Sequence, residues 1–349
     1  MARRPVVHHV GRSGDVPGGM TQVVNAYLAW PFERCDVAVI TSRGDPGDHV
    51  AAARGLVRAL RAVRRLAASP GAHVVVVHLS GRGSFVREGA VLRYAHRRGL
   101  PVVAHLHGSG FVAFAEAHPR LVGSVLRDAD HVVTLSAQSS RVAVRHVGPA
   151  RVSLVPNAVP AGTPEAKTRT VVFGGAVTHR KGVDVLQEAW RRAGPPPGWQ
   201  LLVAGPVLDG HLVDPTTPAT RVLGALDHAD LLALLEAASV AVLPSRDEAM
   251  PMFVLEAMAR DACVVATDVG GVSAVLGDGC GVVVPPGDVG ALAAALRRVT
   301  GDAHARQELV VNARARFAST YRADAVYPRI EEVWLSTLGA PRRDRARVG

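Results

Sequence analysis

Aromatic side chains make up only 4% of the 349 residues. Single-stranded nucleic acids are held on aromatic platforms set among cations, and no stretch of this chain interleaves the two. Lysine is scarcer still: Lys167 and Lys181 stand alone among 40 basic residues, the rest being arginine. The three cysteines, Cys35, Cys263 and Cys280, are too widely spaced for a metal or disulfide framework, and each sits in or beside an apolar run. No window reaches the roughly 20 apolar residues of a membrane-spanning helix. The opening "MARRPVVHHVGRSGDVPGG" carries positive charge without an apolar core of signal-peptide length. A cytoplasmic chain is expected. The formal charge of +10 comes from scattered arginines. It admits small phosphorylated ligands and peripheral contact with an anionic membrane, while the missing aromatics argue against nucleic acid.

What the chain does have is alternation. Short β-branched runs ("PVVHHV", "DVAVIT", "AHVVVVHLS", "LPVVAHLH", "ADHVVTLS", "ARVSLVP") are separated by Ala/Leu/Arg segments of helical period. The pattern restarts after Pro160 with "RTVVFGG", "WQLLVAG", "ATRVLGAL", "SVAVLPS", "ACVVATD" and "GVVVPP". Continuous apolar runs suit strands buried on both faces of a parallel sheet, and strand–helix alternation gives right-handed crossovers. The reading is α/β, with two doubly wound Rossmann-like domains facing across a cleft. Residues 1–160 form the first domain and 161–320 the second. A helix over 321–338, with Pro328 as a kink, crosses back to the first, and 339–349 is a disordered basic tail.

Candidate chemistry lies where strands end. "FGGAVTHRKGVDVLQEAW" is a strand, a glycine turn and a helix, with Arg180 and Lys181 just before the helix. Cations beside free helix N–H groups make an anion site, and Lys181 is a lysine in an arginine-biased chain. Gly18 and Gly19 precede a helix from about Thr21, a loop that lets backbone approach a phosphate. His105 and His107 share one face at the end of "VVAHLH". Without a third ligand at telling spacing, no metal site is expected. A neutral His107 that steadies a sugar hydroxyl is the preferred reading.

"RDEAMPMFVLEAMARD" holds Glu248 and Glu256 eight residues apart. In one helix they would be separated by roughly 12 Å, whereas paired glycosidase carboxylates sit about 5–9.5 Å apart. Glu248 belongs to a loop and Glu256 to the start of a helix from about Phe253. The free N–H groups of Phe253 and Val254 are expected to face a nucleotide diphosphate. The two carboxylates read as two hydroxyl clamps, not as an acid/base pair.

The block from Pro244 to Asp288, with "FGGAVTHRKGVDVL", "VSLVPNAV" and the Gly18–Gly19 loop in order, resembles retaining glycosyltransferases of family 4, in their polysaccharide or natural-product branch. The resemblance implies a GT-B fold, an acceptor-binding first domain and a nucleotide-sugar-binding second domain. It implies metal-independent hexosyl transfer with retention, with a UDP- or GDP-sugar as substrate, no cofactor, and a polysaccharide, lipid-linked or natural-product acceptor. By position, Lys181 would neutralise the donor diphosphate, Glu248 would hold the transferred sugar and Glu256 the ribose. Gly19 would approach the phosphates, His107 would face the sugar, and Arg180, Met250, Phe253 and Val254 would complete the donor site. The family's usual arginine five residues before the lysine is replaced by Ala176. Alternatives on the same scaffold are a nucleotide-sugar 2-epimerase and a non-catalytic nucleotide-sugar-binding protein.

Overall fold

The computed structural model describes residues 3–12, 14, 19–42, 49–108, 110–163, 165–248 and 250–339. Gly18 and the expected tail from 340 onwards lie outside the described residues. The chain divides into two compact units, Met1–Pro156 with Tyr327–Gly349, and Asn157–Val326.

In the first unit the strands are β1 (Val6–Gly11), β2 (Asp36–Thr41), β3 (His73–Leu79), β4 (Val102–Leu106), β5 (His131–Thr134) and β6 (Val152–Leu154). Between them run α1 (Gly19–Ala29), α2 (His49–Ala68), α3 (Arg82–Arg97), α4 (Phe111–Ala117), α5 (Pro119–Arg127) and α6 (Ala137–Val147). The sheet is parallel throughout, in the order β2-β1-β3-β4-β5-β6. The chain therefore leaves β1 towards one edge and re-enters at β3 towards the other. That reversal opens a crevice at the carboxyl ends of β1 and β3.

Strand alternation sorts the side chains of this sheet. Val75, Val77 and Leu79 of β3 and Val102, Ala104 and Leu106 of β4 join Ala59, Val63, Phe85 and Leu92 from the helices in one core. His78 and His105 consequently fall on the opposite face. There the sheet meets α1 and the last helix of the chain, whose Trp334 ring lies 5.1 Å from Tyr27 and 4.9 Å from His9. The buried carboxylate of Glu331 accepts the amides of Arg34 (2.8 Å) and Cys35 (3.1 Å), which ties that helix to the α1–β2 loop.

The second unit holds β7 (Thr168–Gly174), β8 (Gln200–Ala204), β9 (Thr220–Gly224), β10 (Ala238–Leu243), β11 (Cys263–Thr267) and β12 (Val282–Val284). Its helices are α7 (Val183–Ala193), α8 (His228–Ala237), α9 (Met252–Met258), α10 (Val272–Leu276), α11 (Val289–Gly301) and α12 (Ala303–Arg316). The final helix α13 (Ala323–Ser336) follows and runs through Pro328. The second sheet is also parallel, ordered β12-β11-β10-β7-β8-β9. This is the dinucleotide-fold order, with its reversal between β7 and β10. Phe173, Leu186, Trp190, Leu201, Val242 and Val265 fill its core. Lys167 spreads its ammonium over the carbonyls of Leu235, Glu236 and Arg260, where α8 and α9 end with unsatisfied C=O groups. Among the described residues no helix is long and apolar enough to cross a membrane.

A short 3-10 turn, His179–Lys181, leads into α7 through Gly182. Gly182 has φ +71°, and a Cβ there would lie 2.1 Å from the Pro244 carbonyl oxygen. Both the left-handed backbone and the close approach of the β10 loop demand glycine. Gly182→Ala is expected to destabilise the fold by on the order of 2–4 kcal/mol, measured by urea unfolding. A loss below about 0.5 kcal/mol would mean that the two loops relax apart freely.

Candidate active site

The reversal of the second sheet brings two loops together, one after β7 and one after β10. Arg246 locks them. Its guanidinium grips Asp184 at 2.9 and 2.7 Å and the His179 carbonyl at 2.6 Å, while its amide donates to the Arg180 carbonyl at 2.8 Å. The hydrogen-bonded Arg246 holds the Asp184 carboxyl below the usual carboxylate range. This lock presents Lys181 and Arg180 to the second loop. Lys181 Nζ donates to Glu248 Oε1 at 2.5 Å. Arg180 donates to the Asp247 carbonyl at 2.7 Å and lies 3.7 Å from the same Glu248 oxygen. Buried Ser245 adds a hydroxyl donor to Glu248 at 2.8 Å, and the Ser245 carbonyl is in turn held by Thr267 Oγ1 at 2.5 Å.

Glu256 lives elsewhere. It is buried on α9, 3.5 Å from His228 Nε2 at the start of α8. Burial pushes its carboxyl up to about 7, against the opposing pull of Arg260. Glu248 sits among cations and hydroxyls while Glu256 is desolvated, so the two carboxylates occupy separate environments.

Three expectations about the start of α9 need revision or refinement. The Val254 amide is not free: it donates to the Pro251 carbonyl at 3.2 Å, closing the first turn. Phe253 packs its ring so tightly on the end of β7 that a Cβ at Gly174 would meet it at 2.4 Å. Met250 is buried, and its sulfur accepts the Asn157 amide at 3.3 Å. The side chains of Phe253 and Met250 are thus engaged in packing, and the Met250 carbonyl accepts Asn157 Nδ2 at 3.5 Å.

In the first unit, the reversal between β1 and β3 carries a cavity of about 200 Å³ whose walls include Gly19, Ser42, His78, Ser80, Arg87 and Glu88. Gly19 heads α1, and among the described residues a Cβ there would meet nothing within 4 Å. Buried Glu88 is satisfied by Ser42 (3.1 Å), Ser84 (3.0 Å) and a two-pronged Arg87 contact. Arg87 and Glu88 escaped the sequence reading, although "SFVREG" places a carboxylate one turn after a serine and was a visible signal.

His107 follows β4, buried, with Nε2 2.8 Å from His78 Nδ1; His78 Nε2 is 2.8 Å from His9 Nδ1. The sheet register sets His78 beside His105. The sequence shows no third ligand at telling spacing for the His105–His107 pair, and the fold supplies one, His78, from β3. Burial lowers the basicity of all these rings, to about 3 for His9 and His107.

Two parallel six-stranded doubly wound sheets with flanking helices define the GT-B class of glycosyltransferases. Family comparison agrees. Residues 18–158 match the "Glycosyl transferase 4-like domain" and residues 168–302 match "Glycosyl transferases group 1". The chain belongs to the group 1, family 4-type glycosyltransferases. Glycogen synthase of Mycobacterium tuberculosis is 30% identical over 276 residues, covering 71% of this chain and 66% of that protein. The chain thus spans slightly under two thirds of that relative. Among solved structures, sucrose-phosphate synthase from Thermosynechococcus elongatus has a TM-score of 0.77 at 21% identity, covering 97% of this chain and all (100%) of the other. Anabaena HepE in complex with UDP and glucose has a TM-score of 0.71 at 18% identity, over 96% of this chain and 100% of that one.

The raised Glu256 carboxyl makes a stability prediction. Between about pH 4.5 and 7 the folded state keeps a proton that the unfolded chain releases, so stability falls as pH rises through that window. Glu256→Gln removes this dependence. The stability of the variant relative to the natural chain should improve by on the order of 3 kcal/mol from pH 4 to pH 8. A relative stability that is flat with pH, measured by urea unfolding at each pH, would show that Glu256 is not desolvated.

Proposed function

We propose that this protein is a retaining hexosyltransferase that moves a sugar from a UDP- or GDP-linked donor to an acceptor hydroxyl of a polysaccharide, lipid-linked or natural product, without a metal ion. One observation carries the reading: Lys181, Arg180 and Glu248 converge where the second sheet reverses between β7 and β10. Ligands of doubly wound sheets bind at that reversal. Departure of the diphosphate develops negative charge on the leaving oxygen, and cations already in place stabilise it without reorganisation. A lone ammonium is a point charge, so the Arg180 guanidinium is the second cation that stands in for the arginine replaced by Ala176. The diphosphate competes with Glu248 for Lys181, which frees that carboxylate to accept the hydroxyls of the transferred sugar. Glu256 accepts the ribose hydroxyls. The acceptor hydroxyl attacks from the face the diphosphate leaves, and the leaving phosphate takes its proton. The first unit binds the acceptor, and its Gly19 backbone and His107 imidazole are the groups suited to a phosphate and to a sugar hydroxyl respectively. The HepE complex, which holds UDP and glucose, supports a nucleotide-sugar donor.

Nucleoside diphosphate release from a panel of nucleotide sugars, with and without acceptors and in the presence of a chelator, tests the reading. Release only with an acceptor supports transfer. Dependence on one divalent ion overturns the metal-free mechanism. Lys181→Ala should lower turnover by about 10²–10³-fold, as for loss of one charge-stabilising donor, and Arg180→Ala comparably, with partial rescue by Ala176→Arg. Glu248→Ala should mainly lower kcat, and Glu256→Ala mainly raise the donor KM. Full activity of Arg180→Ala, or equal effects of the two glutamate variants on both constants, would contradict these assignments.

We further propose peripheral contact with an anionic bilayer through α2. Its 20 residues contain no acidic side chain. Arg54, Arg58, Arg61 and Arg65 are exposed at helical spacing, with Val50 (60%) and Val57 (45%) also exposed. A basic amphipathic face of this kind lies in the headgroup layer. Co-sedimentation with phosphatidylglycerol vesicles should exceed that with phosphatidylcholine and fall at least about tenfold in the double variant Arg58→Glu, Arg61→Glu. Binding that ignores vesicle charge would refute it.

A further inference from the structure

The histidine cluster of the first unit has a composition that sugar contact does not explain. His78, His105 and His107 are all buried, and each offers a ring nitrogen within 4.8 Å of the others. Their rings lie close together and tilted, with centroids of His105 and His107 4.2 Å apart and those of His78 and His105 5.1 Å apart. His105 is 1% exposed, and neither of its ring nitrogens has a hydrogen-bond partner among the described residues. Burying two unpaired polar atoms is destabilising, and such groups call for an explanation. Val76 and Val103 hold the preceding positions on the same face of β3 and β4, so packing alone would be served by an apolar side chain here.

We propose that His78, His105 and His107 form a binding site for a single divalent ion of the zinc type. Three imidazoles and no carboxylate suit zinc, nickel or copper and exclude magnesium or calcium. The seat of the ion is the contact between His78 Nδ1 and His107 Nε2, now 2.8 Å apart and sharing a proton. Zinc–nitrogen bonds of about 2.0–2.1 Å in tetrahedral geometry place ligand nitrogens roughly 3.3 Å apart. The pair opens slightly and His105 closes in from at most 4.8 Å. An outer-shell partner is already in position. His78 presents its other nitrogen, Nε2, to His9 Nδ1 at 2.8 Å, and a metal-bound histidine characteristically donates its second N–H in this way. His78 also forms part of the wall of the cavity of about 200 Å³, which gives the ion a route to the cluster and room for a non-protein ligand. The site shares His107 with the sugar contact proposed above, but the ion is held by the first unit and takes no part in sugar transfer, so zinc binding is measured apart from transferase activity.

The test titrates zinc chloride into the full, untagged chain at neutral pH and follows heat. One tight site per chain is expected. His105→Phe, which keeps a flat ring and removes both nitrogens, should weaken it by more than about 100-fold. His9→Phe should weaken it by about tenfold, as for outer-shell partners. Cobalt(II) added to the unaltered chain gives a readout that needs no variant. An intense visible spectrum of low-coordinate nitrogen ligation, bleached by one equivalent of zinc, is expected. A cobalt spectrum that stays that of the hydrated ion overturns the proposal. So does tight zinc binding that survives in a His105→Phe variant of native circular dichroism, since the ion would then sit on other histidines.

Discussion

Much of the second unit's site rests on the Arg246–Asp184 ion pair. It joins the loop after β10 to the first turn of α7, and the backbone bond from Arg246 to Arg180 closes the same seam. With that seam shut, Lys181 and Glu248 meet at 2.5 Å although 67 residues separate them. A half-buried bidentate pair of this kind is stronger and more directional than a surface contact. Gly182 is the steric counterpart, because only the absence of a Cβ allows Pro244 to come so close. Charge and sterics thus act on the same joint, and the site inherits its rigidity from both.

Each sheet places its chemistry where its strand order reverses. In the second unit the reversal falls between β7 and β10, and Arg180, Lys181 and the Glu248 carboxylate come from the loops that follow those strands. In the first it falls between β1 and β3, where Gly19 and His78 border one cavity. The similarity is topological: strands that diverge leave a crevice that helices cannot cover. The two crevices differ in electrostatic character. Both are lined in part by ion pairs, but the first-unit crevice also backs onto imidazoles kept uncharged by burial.

Local signals were strong where the physics is local. Every β-branched run quoted from the sequence became a strand; the central ones, such as β3, β4, β10 and β11, are largely apolar along their length because both faces are buried. Lys181 and Arg180 could be picked because they follow a strand and flank glycines, and Glu248 because it lies in the loop after a strand, eight residues before Glu256. Lys167, for which the sequence offered no role, collects three carbonyls that one compact ammonium can reach together. What was not legible was pairing between strands. His78 could not be matched to His105 until the β3–β4 register was known. Nor did the spacing of Val254 from Pro251 reveal that its amide would be consumed by the first turn of α9.

The sequence by itself determined the class of architecture, the order of its elements and the short segments in which charged residues follow strand ends, because periodicity and turn chemistry act over a few residues. Only the tertiary structure decided which of those residues meet. Strand order and register bring together positions dozens of residues apart, and burial then sets their chemistry. That is why Glu248 is held among cations, Glu256 has its carboxyl raised to about 7, and three histidines from two strands and the loop beyond share one buried pocket.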